Sequence, residues 1–330
     1  MERILVLLAF KIPDALLRKL QERHGNSYEF KTIDPKHDDL RLAEQADVLA
    51  VASPDKRVIS AATGCRWLHI MSAGVDEYLA MEAVRSKESL VLTNSAGAYG
   101  IQISEHVFAV ILALSRRMKE VLRNQEHRRW EVPKDDEGGL REIYGMTMAI
   151  VGLGHVGLEI ARRANGFGIH VLGVRRDASS ELKIPGYGEY IDEILIARDL
   201  DRAVATSDII VDSLPLTPET KGLFDSARFQ SFKKGAIFIN VGRGPTVIEK
   251  DLTKALQDGV LGGAALDVFE EEPLPGNSPL WKMENVIITP HCSGTSDNSL
   301  LRAVAILDDN LERYSRGETL CNIVDRGTGY

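Results

Sequence analysis

The sequence predicts an α/β protein of two domains, each a parallel sheet with helices on its faces. Three observations carry this. Apolar strand signals alternate with helix signals along the chain, the pattern of parallel sheets. The length of 330 residues suits about two domains. A glycine-rich strand-to-helix turn begins not near the N-terminus but at residue 152, so another domain is built first.

Taken in order, Ile4–Ala9 is a continuous apolar run and reads as a buried strand. Residues 14–23 read as a helix, with Leu16, Leu17 and Leu20 on one face and Gly25 as its stop. Residues 28–33 read as a strand and 40–45 as a short helix, with further strands over 48–52, 68–71 and 90–93. One long helix is expected over 104–127. Its first half (Val107, Phe108, Val110, Ile111, Leu112, Leu114) is apolar nearly all round, so it needs burial on more than one side, within the chain or against a second subunit. Residues 131–142 are polar and read as a loop. Strands follow at 146–150 and near Val171, Ile209, Ile237, Ala264 and Ile287, with helices near 202–206 and 250–256. An apolar-faced helix over 300–314 is long enough to return to the first domain.

The turn Gly152-Leu153-Gly154-His155-Val156-Gly157 lies between the strand 146–150 and a helical pattern. In that setting Gly152 permits the tight turn, Gly154 lets backbone approach a pyrophosphate, and Gly157 lets helix and strand pack closely. The helix start offers free N–H groups to phosphates, with His155 and Val156 at its mouth.

A net charge of −8 and a pI of about 5.6 speak against nucleic-acid binding. No apolar run approaches the ~20 residues that cross a bilayer. The apolar start resembles a short signal core, but Lys11 and Pro13 interrupt it and a first strand explains it better. Cys65, Cys292 and Cys321 have neither metal nor disulfide spacing, which fits a reducing cytoplasm, and no metal is expected.

Arg243, Glu272 and His291 each fall near the end of a strand, where open parallel sheets bind ligands. Residue chemistry alone leaves each open. Arg243 between glycines is a ligand contact or a surface arginine. The run Glu270-Glu271-Glu272 is a solvated turn or holds one functional acid. His291 by itself is as well explained by packing.

The chain resembles the D-isomer-specific 2-hydroxyacid dehydrogenases. The matching segments are 151–157, 207–220, 240–244, 265–275 and 289–294, with Met71-Ser72-Ala73-Gly74-Val75-Asp76 and Glu105-His106 earlier; together they span nearly the whole chain. The resemblance implies a Rossmann cofactor domain over 99–291, inserted into a flavodoxin-like substrate domain made of 1–98 and 292–330. It implies that Arg243 grips the substrate carboxylate and that His291 carries the carbonyl proton with Glu272 as its partner. Their chemistry suits these roles, since a guanidinium binds carboxylate bidentately and an imidazole exchanges protons near neutrality. Backbone at Ser72, Ala73 and Gly74 would face the substrate carboxylate. Leu214, Pro215, Thr220, Val241, Gly242, Asp267 and Gly294 would join the glycine turn around the cofactor.

Two positions depart from the family pattern. Arg175-Arg176 stands where an acidic ribose ligand is usual, so NADP is the expected cofactor, with NAD as second choice. Ser213 replaces a frequent histidine. The implied reaction is reduction of a small 2-oxo acid, such as glyoxylate or hydroxypyruvate, to a D-2-hydroxy acid by a cytoplasmic homodimer. The alternatives are a phosphite- or phosphoglycerate-type dehydrogenase on the same scaffold, or a corepressor-like binding protein without turnover. Glu272 disfavours a formate dehydrogenase, which has glutamine there. Corepressors carry terminal segments this sequence is expected to lack.

Overall fold

Strands buried on both faces read as near-continuous Val, Ile and Leu, and such runs form the two sheets of this protein. The computed structural model describes residues 3–37, 40–133, 139–176 and 188–329. The chain divides into two units, Met1–Tyr99 with Ser296–Tyr330, and Gly100–Thr295.

The first unit contains strands β1 (Ile4–Ala9), β2 (Tyr28–Thr32), β3 (Val48–Val51), β4 (Trp67–Ile70) and β5 (Val91–Asn94). All pair in parallel, in the order β2-β1-β3-β4-β5, the flavodoxin-like arrangement. Alternate residues serve opposite faces. Leu7, Leu49, Leu68, Ile70 and Leu92 fill one core. Val6, Leu8, Val48, Ala50 and Trp67 fill the other, against Ala303, Val304, Leu307 and Leu311 of the helix Ser299–Ser315. The C-terminal helix thus returns to the first sheet because its apolar stripe completes that face. Tyr28 ties it down by donating to the Leu311 carbonyl at 2.7 Å.

The second unit contains β6 (Thr147–Val151), β7 (His170–Arg175), β8 (Glu193–Ile196), β9 (Ile209–Asp212), β10 (Ala236–Asn240), β11 (Leu261–Leu266) and β12 (Val286–Ile288). Their order is β12-β11-β10-β9-β6-β7-β8, again all parallel. Renumbered from β6 this is the Rossmann order, extended by one strand, with its switch point between β6 and β9. On one face Phe238 of β10 packs with Phe224, Phe229 and Phe232. β8 escapes the sequence reading because it is a short edge strand whose apolar run, Ile194-Leu195-Ile196, is only partly buried.

The single helix expected over 104–127 is two helices, Gly100–Ser115 and Met118–Glu126. Arg117 between them adopts a left-handed conformation, φ 52°. Its N–H donates to the Leu114 carbonyl, and its own carbonyl accepts from Glu120 and Val121, so one residue ends one helix and starts the next. The apolar girdle of the first helix is buried inside the unit. Val107, Phe108, Val110 and Ile111 share one core with residues of β6, β9 and β10 and with Leu158, Ile160, Ala161 and Ala164 of the helix His155–Gly166, and their helix packs on that helix and on β11 and β12. The expected loop over 131–142 lies partly outside the described residues.

Candidate active site

The glycine turn follows β6 at the switch point. Gly152 has φ +104°, a conformation that side chains rarely adopt. A Cβ on Gly157 would lie 2.1 Å from the Gly152 carbonyl oxygen, so only glycine lets the helix His155–Gly166 start this close to the strand. A Cβ on Gly154 would meet nothing within 4 Å. The backbone there faces open space at a helix start, with His155 exposed and Val156 half-buried behind it, and these residues fit a pyrophosphate.

Arg175 is the last residue of β7 and half-buried; Arg176 beside it is exposed. The Glu219 carboxyl is held below its usual value chiefly by the Thr217 hydroxyl, with a smaller contribution from Arg176. Arg176 is therefore within electrostatic reach of the turn after β9. Thr220 knots that turn by donating to the Pro215 carbonyl at 2.7 Å, while Leu214 N–H donates to Asp212 at 3.0 Å. Ser213 donates to the Gly152 carbonyl at 2.9 Å, so the residue that departs from the family pattern braces the glycine turn.

Arg243 sits half-buried on the loop after β10. Val241 N–H donates to the Asp212 carbonyl at 3.0 Å, and Gly242 N–H to Asn240 Oδ1 at 3.0 Å. A Cβ on Gly244 would lie 1.8 Å from the Phe269 carbonyl oxygen. The Arg243 loop is therefore pressed against the loop that carries Glu272.

Glu272 and His291 are in direct contact. His291 Nδ1 donates to Glu272 Oε2 at 2.8 Å, and Glu272 Oε1 accepts the Phe269 N–H at 3.0 Å. The imidazole remains about half exposed, 53%. Its backbone is left-handed, φ 50°, held by N–H bonds to the carbonyls of Asp267 and Thr289. Asp267 braces the whole turn. Its carboxylate accepts from the Thr289 hydroxyl at 2.6 Å and from the N–H groups of Cys292 and Ser293 at 2.9 and 3.0 Å. Burial opposes the charge on Asp267, but these bonds prevail and keep its carboxyl below the usual range. His106 completes the layer through Thr289 Oγ1 at 3.3 Å. The Gly294 carbonyl accepts from Gln102 at 3.0 Å.

In the first unit, Ser72, Ala73 and Gly74 form the loop after β4. Ser72 Oγ donates to the Gly74 carbonyl at 3.0 Å, and Asn94 Nδ2 donates to the Ala73 carbonyl at 2.8 Å. Beneath it, buried His69 joins Thr93 Oγ1 at 2.7 Å and Ser95 Oγ at 3.2 Å, and Ser95 N–H donates to the Ser72 carbonyl. Burial pushes His69 down to about 3.

The sequence reading missed His69 and Thr93 and also Asp212 and Thr246, the last two fully buried beneath Arg243. A signal existed for Asp212: it is an acid closing an otherwise apolar buried strand. Among the described residues no group of three or more His, Cys, Asp or Glu side chains makes a metal site, and no helix is long and apolar enough to cross a membrane.

A glycine turn at a Rossmann switch point, on the same carboxyl edge of a parallel sheet as a carboxylate-held imidazole, has the chemistry of a nicotinamide-dependent dehydrogenase. The chain belongs to the D-isomer specific 2-hydroxyacid dehydrogenase family, whose NAD binding domain model matches residues 108–293. It is 32% identical to the glyoxylate reductase of Korarchaeum cryptofilum, over 97% of this chain and 96% of that one. A D-isomer specific 2-hydroxyacid dehydrogenase from Xanthobacter autotrophicus, in complex with NADPH and MES, superposes with TM-score 0.81 at 28% identity, covering 100% of both chains. The NADPH-dependent glyoxylate/hydroxypyruvate reductase of Sinorhizobium meliloti, in complex with NADP and sulfate, superposes with TM-score 0.79 at 27% identity, covering 99% of this chain and 100% of that one.

Proposed function

We propose that the protein reduces a small 2-oxo acid of the glyoxylate and hydroxypyruvate class to a D-2-hydroxy acid, using NADPH in preference to NADH. The observation that carries this is the 2.8 Å contact between His291 Nδ1 and Glu272. With Nδ1 committed to the carboxylate, Nε2 is the nitrogen left to exchange a proton with a substrate oxygen. The nicotinamide supplies the hydride when bound. Arg243 binds the substrate carboxylate and polarises the carbonyl, and the backbone of Ser72, Ala73 and Gly74 is the first unit's own candidate for binding substrate. The glycine turn, His155 and Val156 hold the pyrophosphate, with Leu214, Pro215, Thr220, Val241, Gly242 and Gly294 around the rest of the dinucleotide. Asp267 acts through the His291 turn. Arg175 and Arg176 take the 2′-phosphate. Measuring NADPH oxidation with a panel of 2-oxo acids tests the reading; no turnover of glyoxylate, hydroxypyruvate or a near relative rejects it.

The same reading makes the protein a homodimer. Support comes from the segment after Arg117 rather than from the buried helix before it. The helix Met118–Glu126 has no buried residue, Leu122 is 52% exposed, and Trp130 and Val132 beyond it are exposed as well. A second copy covers this apolar stretch. Light scattering at micromolar concentration is expected to give about twice 36.4 kDa, and a value near 36.4 kDa refutes the dimer. The cysteines are free, which fits a cytoplasmic setting.

A further inference from the structure

Three oxygen atoms stand in a row beneath Arg243. Asp212 Oδ2 lies 2.5 Å from Thr246 Oγ1, and Thr246 Oγ1 lies 2.6 Å from the Arg243 carbonyl oxygen. Oxygens this close share a hydrogen in each gap, so the row needs two. The threonine hydroxyl brings one and a carbonyl brings none. The second must come from Asp212. Its Oδ1 accepts the Leu214 N–H at 3.0 Å, which leaves Oδ2 as the protonated oxygen. We infer that Asp212 is a neutral carboxylic acid that donates to Thr246, that Thr246 donates to the Arg243 carbonyl, and that this chain positions Arg243 for the substrate carboxylate. The last step rests on the carboxylate-binding role proposed for Arg243.

The surroundings favour the neutral form. Asp212 and Thr246 are both at 0% exposure. Asp212 closes β9 in register with Val151 of β6 and Asn240 of β10, so strands flank it on both sides. Among the described residues of the segments against it (the ends of β6 and β10, the turn after β9 and the loop 241–246), Arg243 and Glu219 carry charge, and Glu219 is exposed at the surface. The Arg243 guanidinium bonds the Gly242 carbonyl at 2.8 Å. Burial pushes the Asp212 carboxyl up to about 7, against the pull of the Thr246 hydroxyl and the Leu214 N–H.

Ionisation reverses the chain. A carboxylate draws the Thr246 hydrogen to itself, and the 2.6 Å contact with the Arg243 carbonyl is left without one. That oxygen keeps its bonds from Asn240 Nδ2 at 3.1 Å and Thr246 N–H at 3.2 Å, but two oxygens at the shorter distance repel. The Arg243 loop then moves away, and the effect falls on oxo-acid binding more than on the chemical step.

The test uses the full chain with NADPH and glyoxylate, as wild type, Asp212→Asn, Asp212→Leu and Thr246→Val. Asparagine repeats the pattern of the neutral acid: Nδ2 donates to Thr246 and Oδ1 accepts from Leu214. Asp212→Asn is expected to keep kcat and the low-pH KM within about twofold, and to lose the rise in KM that wild type shows as pH passes neutrality. Asp212→Leu and Thr246→Val are expected to raise KM about tenfold, the worth of one lost hydrogen bond, with a smaller change in kcat. Asp212→Asn as impaired as Asp212→Leu overturns the proposal, as does the same pH dependence of KM in wild type and Asp212→Asn. Infrared difference spectra of wild type against Asp212→Asn, below neutral pH, read the proton without turnover. A protonated-carboxyl band present only in wild type supports the inference, and its absence overturns it. If that band is present while wild type reduces no 2-oxo acid, the proton assignment stands and the reductase reading falls.

Discussion

Glu272 Oε2 lies 2.8 Å from His291 Nδ1, and the Phe269 N–H anchors the same carboxylate through Oε1. The pair is thus oriented from the backbone, with Nδ1 of the imidazole committed to the carboxylate. His291→Ala is expected to lower kcat by about 10²–10⁴-fold, the usual worth of a positioned general acid. Glu272→Gln keeps a hydrogen-bond partner but loses the charge, so a smaller loss is expected. Steady-state kinetics with saturating NADPH reads both. Near wild-type turnover in His291→Ala defeats the assignment.

On the proposed function, cofactor choice turns on Arg175, the residue that closes β7 beside the glycine turn. A charge-assisted contact to a phosphate contributes about 1.5–3 kcal/mol, or roughly 10- to 150-fold in discrimination. Arg175→Asp is expected to weaken NADPH use by about that factor and to spare or improve NADH use. A higher kcat/KM with NADH in the wild type, or an unchanged ratio in the variant, removes the idea.

Gly157→Ala probes the glycine turn directly. The added methyl would lie 2.1 Å from the Gly152 carbonyl oxygen and 3.1 Å from Ile150 Cγ2, so helix and strand must separate. Nucleotide affinity, followed by fluorescence titration with NADPH, is expected to fall at least about tenfold. Unaltered affinity would show that the helix start does not touch the phosphates.

Acid sensitivity is expected from His69. Burial takes its pKa from the ordinary 6.5 down to about 3, so the folded protein binds fewer protons than the unfolded chain between those values. Its neutral form costs nothing above about pH 6.5. As pH falls from there toward 3, the unfolded state alone takes up the proton, and the folded-to-unfolded ratio drops by up to about tenfold per pH unit. His69→Gln removes this contribution. Urea unfolding at a series of pH values should show a shallower acid slope in the variant than in wild type; equal slopes would mean that His69 is not buried neutral.

The signals that were legible in the sequence are those that depend on near neighbours. The glycine turn and the apolar strands of both sheets announce themselves within a few residues, because turns and strands are local; Arg243 and His291 are legible as residues at strand ends, and their roles rest on the resemblance. The His291–Glu272 pairing required family resemblance, since nothing in Glu270-Glu271-Glu272 alone distinguishes the third acid. Tertiary structure selected it by bringing the Phe269 N–H and the His291 imidazole to opposite oxygens of one carboxylate. The same holds for the break at Arg117, where the pattern of apolar residues runs on through a left-handed residue. It holds most for Asp212 and Thr246, which are 34 residues apart in the chain and meet only because β9 and β10 pair in register. A proton shared between such residues is set by burial and by which oxygens the sheet brings together, and neither is written in any short stretch of sequence.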